Sequence, residues 1–259
     1  MPATTPASPG RPRGRRPVLS LELIVDATVE LLDQVGESKL TFRRLAEHVG
    51  TGVGSLYHYV ASKQELLDHA TNRVLGDVIS GLSLPADPYA ALHALSLALY
   101  ESMQLHRWTG SYLLRDTGTQ PNSMRIFDLF GQQTLRLELS NRARFNAVNA
   151  LVSYVIGAGA EMREAPDYLR KQGYSDQQLR ERVAQSWRDL DSERYPFAHL
   201  VAEEFATHDD TEQFSAGVWL FLDGLKARTS ANDSATGTGT STSADTSSDA
   251  SPTASPDTA

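Results

Sequence analysis

The chain has 259 residues, no cysteine, and 24 Lys+Arg against 32 Asp+Glu, a formal net charge of −8. Without cysteine there are no disulfides, thiolate metal sites or cysteine nucleophiles, which fits a reducing compartment. No run reaches the ~18 to 20 apolar residues of a membrane span, and no apolar stretch of signal-peptide length follows the N-terminal arginines, so a cytoplasmic protein without membrane contact is expected.

The negative average hides a division along the chain. Residues 1–75 carry 9 Lys+Arg against 8 Asp+Glu, a net of +1, and the remaining residues carry 15 against 24, a net of −9. Residues 1–17 place Arg11, Arg13, Arg15 and Arg16 among Pro, Gly and Ala without an apolar period, and residues 229–259 lack any large apolar side chain. Neither end can bury enough surface to offset its ordering entropy, so both are expected to be disordered. The first is either a basic arm that follows a phosphate backbone or enters a minor groove, or simply a solvated tail. Residues 18–228 remain for a folded core.

Within them strand signals are almost absent and helical ones recur, which predicts an all-α fold. The first helix, 20–36, carries Leu23/Ile24, Ala27, Leu31/Leu32 and Val35 on one stripe, with Ser20 as N-cap and Gly36 as a left-handed stop. A short helix follows over 41–49, capped by Thr41, with Leu45, Ala46 and Val49 inward and Gly50 closing it. Ser62 and Glu65 form the S-x-x-E of a capping box ahead of Leu66, Leu67, Ala70 and Val74, placing a helix over 62–80. Pro85 and Pro88 break the chain, and Asp87 caps a helix over about 88–107. Further helices are read near 110–118, 122–140, 143–165, 175–189, 196–207 and 210–228, with a second capping box at Ser175 and Gln178.

The stretch GTGVGSLYHYV, residues 50–60, admits two readings. A phosphate-cradling glycine loop needs a strand before it and a Gly-Lys pair after it, and neither is present. A tight turn at Gly50 followed by a second short helix over about 52–59 gives a helix-turn-helix, with Leu45, Ala46, Val49 and Leu56 packed between the helices and Val53, Ser55, Tyr57 and His58 turned outward.

LTFRRLAEHVGTGVGSLYHYVASKQELLDHA resembles the DNA-binding domain of the Tet repressor (TetR) family, whose pattern is T-x-R-x-LA-x-x-x-G-x-x-x-x-x-LY-x-x-x-x-x-K-x-x-L. The likeness spans about 60 residues, and FSAGVWLFLDGLKAR, 214–228, further resembles the last helix of the tetracycline-repressor subgroup. The resemblance implies a helix-turn-helix domain over 18–79 and a helical ligand-binding and dimerisation domain over 80–228. It implies contacts with double-stranded DNA, a palindromic operator, from Thr41, Arg43, Arg44, Gly52, Val53, Gly54, Ser55, Tyr57, His58, Tyr59 and Lys63. Among these Arg43, Val53, Gly54 and His58 would face bases, and Tyr57, Tyr59 and Lys63 would hold phosphates. Residue types alone leave blander alternatives: the tyrosines as packing, Lys63 as a solvated cation, His58 as an idle surface group, and Arg43 paired with Glu47 one turn along. Gly52 and Gly54 weaken the second helix, which predicts a reading helix that DNA helps to order.

By the same resemblance the second part forms a homodimer through helices near 143–165 and 210–228, both apolar on more than one side, and encloses a small-molecule effector; cover of those faces by the chain's own core is the competing reading. Tetracycline repressors hold a magnesium-bound drug with histidines. The place of one of them is Ile79 here, so no metal and no cofactor are expected, and an amphiphilic or aromatic effector is. Met103, Trp108, Tyr112, Arg115, Phe127, Phe130, Tyr154 and Glu161 are candidate walls of its pocket, with ordinary core packing as the competing reading. The seven histidines show no H-E-x-x-H spacing and no G-x-S-x-G turn occurs, so an enzyme is not expected. The alternative function is a helical, dimeric ligand-binding or interaction protein that does not bind an operator.

Overall fold

A computed structural model describes residues 18–115, 120–161 and 173–237, and the basic arm expected over 1–17 lies outside them. The described residues form eleven α-helices and no strand. Helices α1 (Leu21–Val35), α2 (Phe42–Val49), α3 (Val53–Leu56) and α4 (Lys63–Gly81) make the N-terminal part. The body comprises α5 (Pro88–Leu105), α6 (Trp108–Leu113), α7 (Pro121–Leu135), α8 (Asn141–Glu161), α9 (Asp176–Arg188), α10 (Pro196–Thr207) and α11 (Asp210–Gly237).

Caps set most of the starts. Ser20 Oγ accepts the Leu23 N–H at 3.2 Å, Thr41 Oγ1 accepts that of Arg44 at 3.2 Å, and an Asp87 carboxylate oxygen accepts that of Ala90 at 2.7 Å. Ser175 and Gln178 form a complete capping box. The box at α4 is only half as expected: Ser62 Oγ accepts the Glu65 N–H, but the Glu65 carboxylate reaches the N–H of Ala61 at 2.6 Å rather than that of Ser62.

α7 ends at Leu135 rather than near 140, and two further boundaries depart in ways that bear on the site. The reading helix is α3, four residues long, rather than 52–59, because Gly52 offers no capping side chain, Gly54 lies inside it, and the chain turns over 57–59. At the other end α11 continues to Gly237, so its last nine residues lie in the tail that was expected to be unstructured from 229 on. A helix once begun needs only residues that tolerate its dihedrals, and no proline interrupts 229–237. Thr229 is buried there, its hydroxyl 2.9 Å from that of Tyr89.

Two hydrophobic cores result. In the body, α5 packs against α4, α7, α8 and α11, and its Leu92, Leu95, Leu99 and Met103 meet Phe130, Leu151, Val155, Val218 and Leu222. The N-terminal core gathers Ile24, Leu31, Leu32, Leu45, Leu56, Leu66 and Val74, and also Trp108 and Tyr112 from α6. The covalent boundary near residue 80 is therefore not the packing boundary.

Trp108 also donates its indole N–H to Asp33 at 2.9 Å. Trp108→Ala removes a nearly buried ring from the N-terminal core together with one of the donors to Asp33, so it should cost about 3 to 5 kcal/mol of stability in denaturant titration, although the residue lies outside the expected N-terminal domain.

Candidate nucleic-acid interface and effector cavity

The two short helices meet as the residue pattern requires. Gly50 takes the left-handed conformation, φ 74° and ψ 36°, and ends α2, with the Thr51 N–H returning to the Ala46 carbonyl at 2.9 Å. Leu45 and Leu56 are fully buried between the helices. Their burial turns Arg43, Arg44, Val53, Gly54, Tyr57 and His58 to the exposed side, with Ser55 half-buried.

These exposed groups are organised rather than loose. Tyr57 stacks on Phe42, centroids 4.4 Å apart and planes 8° from parallel, and stays exposed. Arg43 donates its Nε–H to Glu47 Oε1 at 3.0 Å, the pairing that the spacing allows. Three of the expected contacts have work inside the protein. Arg44 Nη1 donates to the Lys39 carbonyl at 3.1 Å, and Lys63 Nζ donates to the Glu37 carbonyl at 2.6 Å, so both hold the short 3₁₀ turn Glu37–Lys39 between α1 and α2. Tyr59 donates its hydroxyl to the Leu19 carbonyl at 2.8 Å and ties the end of the reading turn to the start of α1. Lys63 keeps two further N–H donors and Arg44 keeps its second terminal nitrogen for a phosphate. Thr41 is spent largely on its cap.

In the body, a cavity of about 930 Å³ is walled by α5, α8, α9, α10 and α11. Of the eight residues expected to line it, Tyr154 and Glu161 do. The other six are elsewhere, and the reason is packing. Met103 and Phe130 are fully buried in the body core and Phe127 packs against it. Trp108 and Tyr112 belong to the N-terminal core, and Arg115 pairs with Glu37 at 2.5 Å. Aromatic character marks burial without saying in which core. The walls that were missed include Arg107, Arg180, Phe205, His208 and Asp210, spread over a hundred positions of sequence with no shared motif.

Tyr100, Phe214 and Tyr154 form one side of the cavity as a stacked column, with centroids 3.9 and 5.6 Å apart and planes within 8°. Gly217 allows it, since a Cβ there would run into the Tyr154 hydroxyl. Burial, and then the Asp210 and Asp209 carboxylates, raise the Tyr100 phenol above its ordinary value, against the opposing hydrogen bond of Gln104; burial and then Glu161 raise Tyr154. Both phenols are neutral hydrogen-bonding groups at pH 7. Asp210 meets His208 at 3.0 Å and Arg180 at 3.9 Å. Apart from the cavity, burial lowers the pKa of His93, whose Nε2 lies 2.8 Å from Ser215 Oγ and whose ring stacks on Trp219; it joins α5 to α11 as a packing element. Among the described residues no cluster of three His, Cys, Asp or Glu could hold a metal ion, and no helix is long and apolar enough to cross a membrane.

Residues 24–70, which hold the buried leucine pair, the left-handed glycine turn, the stacked tyrosine and the exposed arginine, match the family described as "Bacterial regulatory proteins, tetR family". Residues 84–229 match "Tetracyclin repressor-like, C-terminal domain". The chain belongs to the TetR family. It is a helix-turn-helix transcriptional regulator, similar to the transcriptional repressor DrrR1 of Streptomyces coeruleorubidus, which is 30% identical over 219 residues, 83% of this chain and 80% of that protein. The class D tetracycline repressor of Escherichia coli is 30% identical over 153 residues, 56% of this chain and 67% of that protein. Among solved structures, the TetR regulator SCO7222 of Streptomyces coelicolor is 35% identical, with a TM-score of 0.68 over 82% of this chain and 100% of that chain. ActR of the same organism, solved with actinorhodin, shares the fold at 22% identity and a TM-score of 0.67, over 82% of this chain and 99% of its own.

A Cβ on Gly54 would meet nothing within 4 Å. Gly54→Ala should therefore stiffen the reading segment and raise stability by up to about 1 kcal/mol in thermal unfolding, and hydrogen exchange at Val53 and Ser55 should slow.

Proposed function

We propose that this regulator is a homodimeric repressor that binds a palindromic operator and leaves it when a small molecule enters the cavity between α5, α8 and α11. The observation that carries the release mechanism is the position of α6. Its Trp108 and Tyr112 rings are buried among α1, α2 and α4, while its backbone at Gly110 lies on α8, where a Cβ would come within 2.6 Å of the Gly159 carbonyl. Side chains on one side and backbone on the other make α6 a rigid spacer. On its N-terminal side, Asp33 accepts from Trp108 and meets His106 Nδ1 at 2.9 Å, and Asp68 accepts from the Tyr112 hydroxyl and from Gln120 at 3.0 Å. A second joint is the pair Asn72 and Asn122, bonded at 2.9 and 2.7 Å between α4 and α7.

The cavity wall next to this spacer includes Gly157, Ala158 and Glu161 of α8 and Arg107 just before α6. A molecule that prefers the cavity with α8 displaced moves α6, and with it α1 and α4; operator affinity falls by its differential affinity for the two arrangements. The ActR structure with actinorhodin, on the same fold, supports an organic effector, and the stacked tyrosines favour one with an aromatic face.

Pairing of two copies is supported by the apolar groups that α8 and α11 leave uncovered: Phe145 is 62% exposed and Leu220 77%, the latter with small Ala216, Gly224 and Ala227 on the same exposed row. A two-fold axis there would give two α3 segments that read the two halves of a palindrome in successive major grooves about 34 to 36 Å apart.

Selection of bound sequences from random duplexes by the purified protein tests the operator reading: an inverted repeat is expected, with affinity falling steeply as salt rises, and enrichment of no sequence would overturn it. Leu220→Arg places a charge in the subunit contact, so sedimentation should show a monomer and operator affinity should drop on the order of a hundredfold. Gly110→Ala forces α6 from α8; a screened molecule that releases the wild type should still bind this variant in calorimetry but no longer release its DNA.

A further inference from the structure

The first 75 residues hold eight carboxylates, and seven of them have tasks that do not involve Arg43. Glu22 sits in the first turn of α1; Asp26 pairs with Arg73; Glu30 meets His48; Asp33 and Asp68 hold α6; Glu37 pairs with Arg115; Glu65 takes the Ala61 N–H. Glu47 is different. It stands on α2 with its side chain 66% exposed, on the row that also bears Arg43, which is 86% exposed. A carboxylate on a surface that meets a polyanion weakens binding to every sequence, so its presence needs another reason.

The geometry supplies one. The contact is Arg43 Nε to Glu47 Oε1, 3.0 Å, and among the described residues the two terminal nitrogens of Arg43 have no partner. One of five guanidinium donors is used, and the four that remain belong to the two terminal nitrogens, one hydrogen of each forming the end-on fork that meets O6 and N7 of a guanine. An arginine without a partner on Nε can turn that edge to a phosphate instead, or swing among rotamers.

We propose that Glu47 is a positioning residue for base readout: it grips Arg43 at Nε, aims the terminal nitrogens at a guanine in the major groove, and lowers affinity for DNA that lacks that guanine. The inference rests on the reading of α2 and α3 as the operator-facing surface. It makes Glu47 a specificity determinant that touches no base itself.

The test uses the full chain, the operator selected by the wild type, and that operator altered at the base pair where Arg43→Ala loses its preference. Glu47→Ala should bind random duplex about two- to fivefold more tightly, since one repelling charge is gone, while its preference for guanine at that pair falls about fivefold or more. Glu47→Gln loses the charge but keeps an oxygen acceptor for Nε, so its random-duplex affinity should rise as in the alanine variant while most of the preference is retained. Both side chains are exposed, and unfolding midpoints close to that of the wild type confirm that the fold is intact. A Glu47→Ala protein that keeps the full preference, or that gains equally on specific and random DNA, would overturn the inference. A wild type that selects no sequence would instead overturn the operator reading on which it rests.

Discussion

One short helix belongs to two cores at once, and the rest of the molecule is arranged around that fact. Trp108 and Tyr112 are as much a part of the N-terminal core as Leu45 or Leu56, yet they are anchored on a turn of backbone that lies flat on α8. Native cores are close-packed and do not deform gradually, so a displacement at the cavity wall cannot be absorbed at α6 by a side chain that bends. The glycines at 110 and 159 remove the compliant layer. Polar joints at Asp33, Asp68 and Asn72 add directed contacts between the N-terminal helices and the body, because each bonds a specific donor and not merely a surface.

Much of this was legible in the chain and some was not, for physical reasons. Helix starts at Ser20, Thr41, Asp87 and Ser175 were readable because a cap is a local contact between a side chain and a backbone N–H two or three residues on. The inward turn of Leu45 and Leu56, and so the outward face with Arg43, Val53 and His58, followed from periodicity and the motif alone. The shortness of α3 was half-visible in its glycines. Cavity walls were poorly legible: an aromatic ring looks the same in sequence whether it fills the body core, as Phe130 does, the N-terminal core, as Trp108 does, or a cavity side, as Tyr154 does. Tertiary partners of charged groups were equally hidden. Lys63 and Arg44 matched a motif, but their bonds to backbone carbonyls of the 3₁₀ turn depend on where α1 ends in space.

The charge of the chain carries a similar lesson. A net −8 describes a body rich in acids and an N-terminal part that is nearly neutral by count. Within that part the charges are sorted by place: most of its carboxylates hold helices together, while Arg43 stands exposed on α2. Bulk charge is therefore a poor guide to the potential that an approaching duplex would meet.

The last helix joins both ends of the regulatory problem on a single rod. Its first turns supply Asp210, Gln213 and Phe214 to the cavity, and two turns later the same helix bears the uncovered Leu220. In the symmetric pair proposed above, the chamber of one copy would lie on the same strut that meets the neighbour, so occupancy of the first chamber would alter the work of loading the second.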